Sequence, residues 1–328
     1  MINLREYLYN LVKQIPRGRV STYSALAEAL GDVRARRAVA RMLAENPRPI
    51  IVPCHRVVMS DGRLGGYSAE GGIQRKAELL MAEGVPIRNN RVLNLEKHLF
   101  TEFRTEKPLK RLRAEQERLA RLVRIEDIVE NTRTIGGIDI SYRGDVAYAC
   151  MLLYDSVRGK PLTAYCSRTI VSFPYIPTYL AFREYPAIEM VVRGADEKPD
   201  IYMIDGNGIL HPLSIGVASH VGVSLGIPTV GVAKRMLCGE VRGAGKIRKV
   251  VLKGKVVGHA ALFGRAKKPV YISPGHLVSV EGALRVVCGV SRHRVPEPLR
   301  LAHIMANNCR KSDMRLLPEF GLKIKIIK

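Results

Sequence analysis

At 328 residues the chain is long for one hydrophobic core, so two domains are the natural expectation. Lys and Arg number 53 against 30 Asp and Glu, a formal charge of +23 that attracts polyanions and predicts salt-sensitive nucleic-acid binding. Composition and pattern exclude other classes. There is no apolar run of about 18 residues for a membrane span, no signal-peptide pattern, no long Lys tail, and no Trp for an aromatic membrane face. The six Cys lack CxxC spacing, which argues against a zinc ribbon or a disulfide framework and for a reducing interior.

Residues 1–92 read as a small, mainly helical module. Leu4, Leu8, Leu11 and Val12 recur at helical spacing, and Ile15-Pro16-Arg17-Gly18 breaks that helix. Ser21 or Thr22 caps a second helix ending at Gly31, and a third, Arg-rich helix runs over 33–44 until Asn46-Pro47 stops it. Two short helices around a Gly-containing turn fit a helix-turn-helix, although a solvated basic face is the commoner meaning of an Arg run. Pro53-Cys54-His55-Arg56-Val57 follows. The thiolate is the reactive form of Cys, and a neighbouring base or cation activates it.

Residues 93–107 lose periodicity and read as a linker. A charged helix over 109–123 then turns Leu112, Leu119 and Leu122 inward. From 134 onward, strands at 135–141, 147–154, 162–171, 201–204 and 229–232 alternate with helices at 180–192 and 214–225, the pattern of an α/β sheet. Asp139 and Asp205 each end an apolar strand, where ligands of α/β sheets gather. Two such acids with Glu184 suit a hard divalent cation, Mg²⁺ or Mn²⁺; isolated strand-end acids more often cap turns. Cys150 reads as a core thiol. Cys238, His259, His276 and Cys288 read as structural, and Lys246, Arg248, Lys249, Lys253 and Lys255 as a solvated or phosphate-facing strand edge.

The first segment resembles the active domain of the O6-alkylguanine-DNA alkyltransferases. The shared motifs are Ile15-Pro16-Arg17-Gly18 through Thr22-Tyr23, Arg37-Ala38-Val39, Asn46-Pro47, Pro53–Val57, Gly66-Tyr67 and Glu83-Gly84. The resemblance implies that Cys54 would accept an alkyl group from guanine O6, with His55 drawing the thiol proton and Glu83 orienting the imidazole. It further implies that Arg37 would fill the stack vacated by an extruded base, Tyr23 would press on the adjacent phosphate, and Asn46 would help form the base pocket. The loop Ser68–Gly72 is about two residues longer than the common form, which bears on substrate range.

Residues 108–310 resemble endonuclease V. The motifs are Asp139-Ile140-Ser141-Tyr142, Pro174-Tyr175-Ile176-Pro177, Leu180 with Phe182-Arg183-Glu184, Asp205-Gly206-Asn207-Gly208 with His211-Pro212, Gly216, His220, Val232-Ala233-Lys234 and Pro296-Glu297-Pro298 leading to His303. This resemblance implies a ribonuclease-H-like fold and Mg²⁺, with Mn²⁺ as substitute, held by Asp139 and Asp205, with Glu184 and His303 completing the cluster. Lys234 would steady the attacking water or the phosphate. Pro174, Tyr175, Ile176 and Pro177 would form a wedge, and Leu180, Gly206, Gly208 and Gly216 would line the pocket for the extruded base. Thr178 stands where the family commonly has Gly, and Leu213 where it often has Arg.

Together these readings predict a two-domain DNA repair protein: an alkyltransferase domain over 1–92, a linker over 93–107, and an endonuclease V domain over 108–328. Its partner would be double-stranded DNA with damaged purines. The implied activities are stoichiometric alkyl transfer to Cys54 and Mg²⁺-dependent nicking at the second phosphodiester 3′ to deoxyinosine. The alternative is a damage-binding adaptor joined to an inosine-specific nuclease acting on DNA or RNA.

Overall fold

The computed structural model describes residues 2–315 and 322–327. The chain forms two compact units, one of residues 1–114 with 172–177, the other of 115–171 with 178–328.

In the first unit, α1 (Leu4–Val12) is capped by the Asn3 side chain and buries Leu4, Leu8, Leu11 and Val12. Strand β1 (Ser21–Thr22) runs into α2 (Tyr23–Leu30). Thr22 Oγ1 accepts from Ala25 N at 3.0 Å, and Gly31 ends the helix in the left-handed conformation. The third helix starts as a 3₁₀ turn over Val33–Ala35, where Asp32 takes the Arg34 amide, and continues as α3 (Arg36–Ala44). Ala38, Val39, Met42 and Leu43 face inward, while Arg34, Arg36, Arg37 and Arg41 are exposed. β1 pairs in parallel with β2 (Val57–Val58), just after the turn Cys54–Arg56. Helix α4 (Gly72–Ala82), the hairpin β3 (Ile87–Arg88) and β4 (Arg91–Val92), and the single turn α5 (Leu95–His98) follow. The segment read as a linker is hydrogen-bonded to this unit. Val20 N donates to His98 O at 2.8 Å, Phe100 N to Val20 O at 2.7 Å, and Thr105 Oγ1 to Ala29 O at 2.6 Å.

The chain leaves the first unit within α6 (Pro108–Ala120). This helix ends three residues before the expected Val123, which leaves Leu122 49% exposed rather than inward. Strands β5 (Thr134–Arg143), β6 (Val146–Asp155) and β7 (Lys160–Ile170) form a meander; α7 (Leu180–Gly194), β8 (Ile201–Asp205), α8 (Val217–Leu225) and β9 (Thr229–Ala233) follow. Strands β10 (Glu240–Arg242), β11 (Ile247–Leu252), β12 (Lys255–Ala261) and β13 (Val270–His276) extend the sheet. Helices α9 (Val280–Gly289) and α10 (Glu297–Ser312) and strand β14 (Lys323–Ile327) complete the unit. The ten-stranded order is β10-β11-β12-β13-β9-β8-β5-β6-β7-β14. Its central trio β5, β8 and β9 is parallel, so those strands end on one side of the sheet. Helices α9 and α10 pack against one face through Ala283, Val287, Leu299, Ala302 and Met305. Helices α7 and α8 cover the other through Ala187, Ile188, Val191, Ala218 and Val221.

One expectation fails inside this core. The Cys spacing predicts no disulfide and a plain core thiol at Cys150, yet Cys150 is joined to Cys166, 16 residues away. They sit directly opposite each other on the antiparallel neighbours β6 and β7, a pairing that register supplies and linear spacing hides. Among the described residues, no helix is long and apolar enough to cross a membrane.

Candidate active sites

In the first unit, the turn after Pro53 carries Cys54 and His55 into the interior, where they are 6% and 2% exposed. Asn46, just past α3, reaches across this turn. Its Nδ2 donates to Val52 O at 3.1 Å and lies 3.3 Å from Cys54 Sγ, while its Oδ1 accepts from Arg48 N at 3.0 Å. His55 Nε2 is 3.0 Å from Glu83 Oε1, at the C-terminal end of α4. Arg56 grips the same carboxylate through Nε and Nη2 at 2.9 and 2.8 Å, and its Nη1 donates to Ile15 O at 2.7 Å.

These contacts fix the protonation pattern. Burial pushes Glu83 upward, but the hydrogen bonds from Arg56 and His55 outweigh it and hold the carboxylate below its usual range. Burial also pushes the His55 imidazole down, despite Glu83. A neutral ring beside an ionised carboxylate must donate from Nε2, so Nδ1 carries the free lone pair. That Nδ1 is buried and has no hydrogen-bond partner. Cys54 opens onto a cleft of about 650 Å³ lined by Tyr23, Arg36, Arg37, Leu43, Met59 and Tyr67. The structure therefore brings Tyr23, Arg37, Asn46, Cys54, His55 and Glu83 around one cleft and turn.

Lys76 was not legible as a site residue. It is fully buried in α4, and its Nζ donates to Val57 O at 2.6 Å, Leu64 O at 2.5 Å and Gly66 O at 3.4 Å, tying the segments that flank Cys54. Burial lowers it to about 8, with Cys54 acting in the opposite direction. The available signal was a Lys four residues before the buried Leu80, on the inward face of the helix.

In the second unit, Asp139 on β5 and Asp205 at the end of β8 lie on adjacent parallel strands, since Ile138 pairs with Ile204. Lys234 follows β9, pairs with Asp205 and completes the row at the strand ends. Asp139 Oδ2 is 2.5 Å from His303 Nδ1 on α10, and its Oδ1 accepts from Ile140 N at 2.8 Å. Glu184 enters from α7. Burial, then Asp205, raises Asp139 against the pull of Lys234 and His303. Burial, Asp205 and Asp139 raise Glu184 to about 8. Three carboxylates thus press on one another, with the Lys234 ammonium and the Arg183 guanidinium as counter-charges and the His303 ring as a hydrogen-bond partner, a donor set whose chemistry suits a hard divalent cation. Asn307 and Ser141 extend the site. Asn307 Nδ2 lies 3.0 Å from His303 Nε2, and Ser141 Oγ donates to Asn307 Oδ1 at 3.0 Å. Neither was singled out from the sequence; Asn307 stands one helical turn after His303.

The other expected residues fall as follows. Pro174, Tyr175, Ile176 and Pro177 group with the first unit; Tyr175 is 55% exposed and Ile176 is buried. Leu180 opens α7 and packs partly into the core. Gly206, Gly208 and Gly216 lie in the loop between β8 and α8, where a Cβ on Gly208 would meet Pro274 O at 2.0 Å and one on Gly216 would meet Asn207 O at 2.2 Å. Backbone therefore fills the space beside both. His211 Nδ1 accepts from Leu213 N at 3.2 Å.

Comparison with known proteins finds counterparts of both halves of the chain, and of the two joined in one chain. Residues 117–304 match the model of the family described as Endonuclease V, and residues 3–85 match that of the 6-O-methylguanine DNA methyltransferase, DNA binding domain. A bifunctional methyltransferase/endonuclease of Thermoplasma volcanium is 40% identical over 92% of this chain and 88% of its own length. One of Picrophilus torridus is 37% identical over 95% and 99%. Among solved structures, the catalytic domain of human Endonuclease V is similar at a TM-score of 0.59 and 28% identity, over 64% of this chain and 100% of that one.

Proposed function

Since the chain belongs to the bifunctional methyltransferase/endonuclease family, uniting an alkyltransferase domain with an endonuclease V domain, we propose that Cys54 is the alkyl acceptor and that Asp139, Glu184, Asp205, Lys234 and His303 form the nicking centre. The carrying observation is that the two residue sets assemble separately, each with its own electrostatics.

For the transfer, the Cys54 Sγ–alkyl bond forms as the guanine O6–alkyl bond breaks. The guanine leaves with the electron pair, and the thiol proton goes to His55 Nδ1, directly or through a water. Glu83, clamped by Arg56, keeps the imidazole in the tautomer that receives it. The exposed Arg face of α3, read with α2 as a helix-turn-helix, meets DNA; Arg37 replaces the extruded base, Tyr23 contacts the adjacent phosphate, and Asn46 supports the turn. The alkyl-cysteine is not regenerated.

For nicking, we read the second unit as ribonuclease-H-like. Asp139 and Asp205, with Glu184 and His303 beside them, would hold Mg²⁺ or substituting Mn²⁺. Bound there, the ion would neutralise phosphate charge and acidify water. Lys234 keeps a positive charge at the scissile position, and Asp139 anchors the His303 ring. Tyr175, within Pro174–Pro177, is the wedge, and the 206–216 loop with Leu180 forms the base pocket. The substrate is duplex DNA with deoxyinosine, cut at the second phosphodiester on its 3′ side. The Endonuclease V of Ciona intestinalis, solved with a DNA containing an inosine followed by a ribo-adenosine, supports inosine as the recognised base, at 25% identity and a TM-score of 0.58. The chain would act in the cytoplasm, on the nucleoid.

Oligonucleotides carrying O6-methylguanine or deoxyinosine, with and without chelator, test both halves. A mass gain on Cys54 that ignores chelator and nicking that chelator abolishes are expected. No mass gain would favour a damage-binding adaptor. Cleavage of RNA with DNA left intact would reassign the substrate.

A further inference from the structure

The second unit contains three sulfurs that neither reaction uses. Cys150 on β6, Cys166 on β7 and Cys309 on α10 are each 0% exposed. Their Sγ atoms lie within 4.8 Å of one another, the only such set of three ligand atoms from His, Cys, Asp or Glu among the described residues. Cys150 and Cys166 are bonded, and Cys309 Sγ stands 3.3 Å from Cys150 Sγ. The surroundings are apolar, with Leu152, Ala164 and Met305 in the same core. No carboxylate or imidazole belongs to the set.

Its position gives the cluster meaning. Asp139 is directly opposite Cys150 across β5 and β6, and Cys150 is directly opposite Cys166. Helix α10 lies over this row, with His303 on Asp139 and Cys309 on Cys150. The sulfurs thus sit one strand away from Asp139, beneath the helix that carries His303.

We propose that, with the Cys150–Cys166 bond reduced, these three cysteines form a site for a soft monovalent cation such as Cu(I), which fastens α10 to β6 and β7. A dithiol or phosphine reductant supplies the two electrons that open the disulfide into two thiols. The ion then takes the place of one thiol proton, held by that thiolate and by the sulfurs of the two neutral thiols, so the buried cluster carries no net charge. A metal–sulfur bond of about 2.3 Å sets sulfurs about 4 Å apart in a trigonal plane, a spacing this cluster reaches by small side-chain movements. Soft thiolates select Cu(I), whereas the hard oxygens around Asp139 select Mg²⁺, so neighbouring sites sort their ions by chemistry. Without an ion, burial pushes the Cys309 thiol up to about 12, and it stays protonated.

The test uses the full chain with Cys54, Cys238 and Cys288 replaced by Ala, reduced anaerobically by a phosphine and titrated with Cu(I) against a chromophoric competitor. Expected are one ion per chain by native mass spectrometry, thiolate-to-metal absorbance in the ultraviolet, and slower amide exchange in α10. Cys309→Ala and, independently, Cys166→Ala should abolish the stoichiometric ion while the far-ultraviolet spectrum stays native. Undiminished binding in both variants, no binding to the reduced parent, or unfolding of the parent on reduction would each overturn the proposal.

Discussion

His303 Nδ1 and Asp139 Oδ2 stand 2.5 Å apart, and the far nitrogen of the same ring meets Asn307 Nδ2 at 3.0 Å. An amide nitrogen only donates, so Nε2 accepts and Nδ1 holds the proton that faces the carboxylate. Ser141 fixes the amide in that orientation. Asn307→Ala is expected to slow nicking of deoxyinosine duplexes by about 10- to 100-fold, the usual range for removing the hydrogen bond that orients a site histidine. Alkyl transfer, measured on the same preparation, should be unchanged.

Glu83 serves His55 and Arg56 together. Glu83→Ala frees the His55 ring to change tautomer and leaves the Arg56 guanidinium without its carboxylate. Single-turnover transfer from O6-methylguanine should slow on the order of 100-fold, with nicking preserved. An unchanged transfer rate would remove Glu83 from the alkyl-transfer site.

His220 makes the second unit acid-sensitive. It is 5% exposed, edge-on to the rings of Phe182 and Tyr185, and burial pushes it down to about 4, with Glu115 pulling the other way. The unfolded imidazole titrates near 6.5, so between those values the unfolded chain binds more protons and stability rises with pH. Stability is fully present above 6.5 and falls by roughly 3 kcal/mol as pH drops to 4. Urea unfolding at pH 7.5 and 4.5 should show a smaller loss for His220→Leu than for the parent.

Thr178 follows the proposed wedge at φ +70, a left-handed conformation that a β-branched residue adopts at a cost. Thr178→Gly should relieve about 1 kcal/mol of strain and raise the unfolding midpoint. If the strain holds the Pro174–Pro177 segment in place, the same variant should nick more slowly. A lowered midpoint would show that Thr178 contacts outweigh the backbone strain.

Much of the first unit could be read locally, because its signals are local: the Thr22 cap, Gly31 and the stop at Asn46-Pro47 act within a few residues of themselves. The strands carrying Asp139 and Asp205 were legible as apolar runs. What escaped reading depends on residues distant in the chain. Lys76 is explained only by carbonyls of other segments, and Cys150–Cys166 only by strand register. Asn307 gains its role from Ser141, 166 positions earlier. Of β10–β13, the sequence marks only the basic stretch from Lys246 to Lys255, as a solvated or phosphate-facing strand edge; the pairings that build the four strands into the sheet lie beyond a periodicity reading. Leu122 was placed inward by helical spacing that the chain abandons after Ala120.

The pairing of β14 with β7 reaches beyond repair chemistry. Lys323 through Ile327 cover the backbone of Thr163 through Ser167, and Lys323 and Lys325 place positive charge on the new rim. A chain clipped after Ser312 would bare the peptide groups of β7 as a landing strip for strands from other molecules, so proteolysis at the tail would invite self-association before it touched either reactive centre.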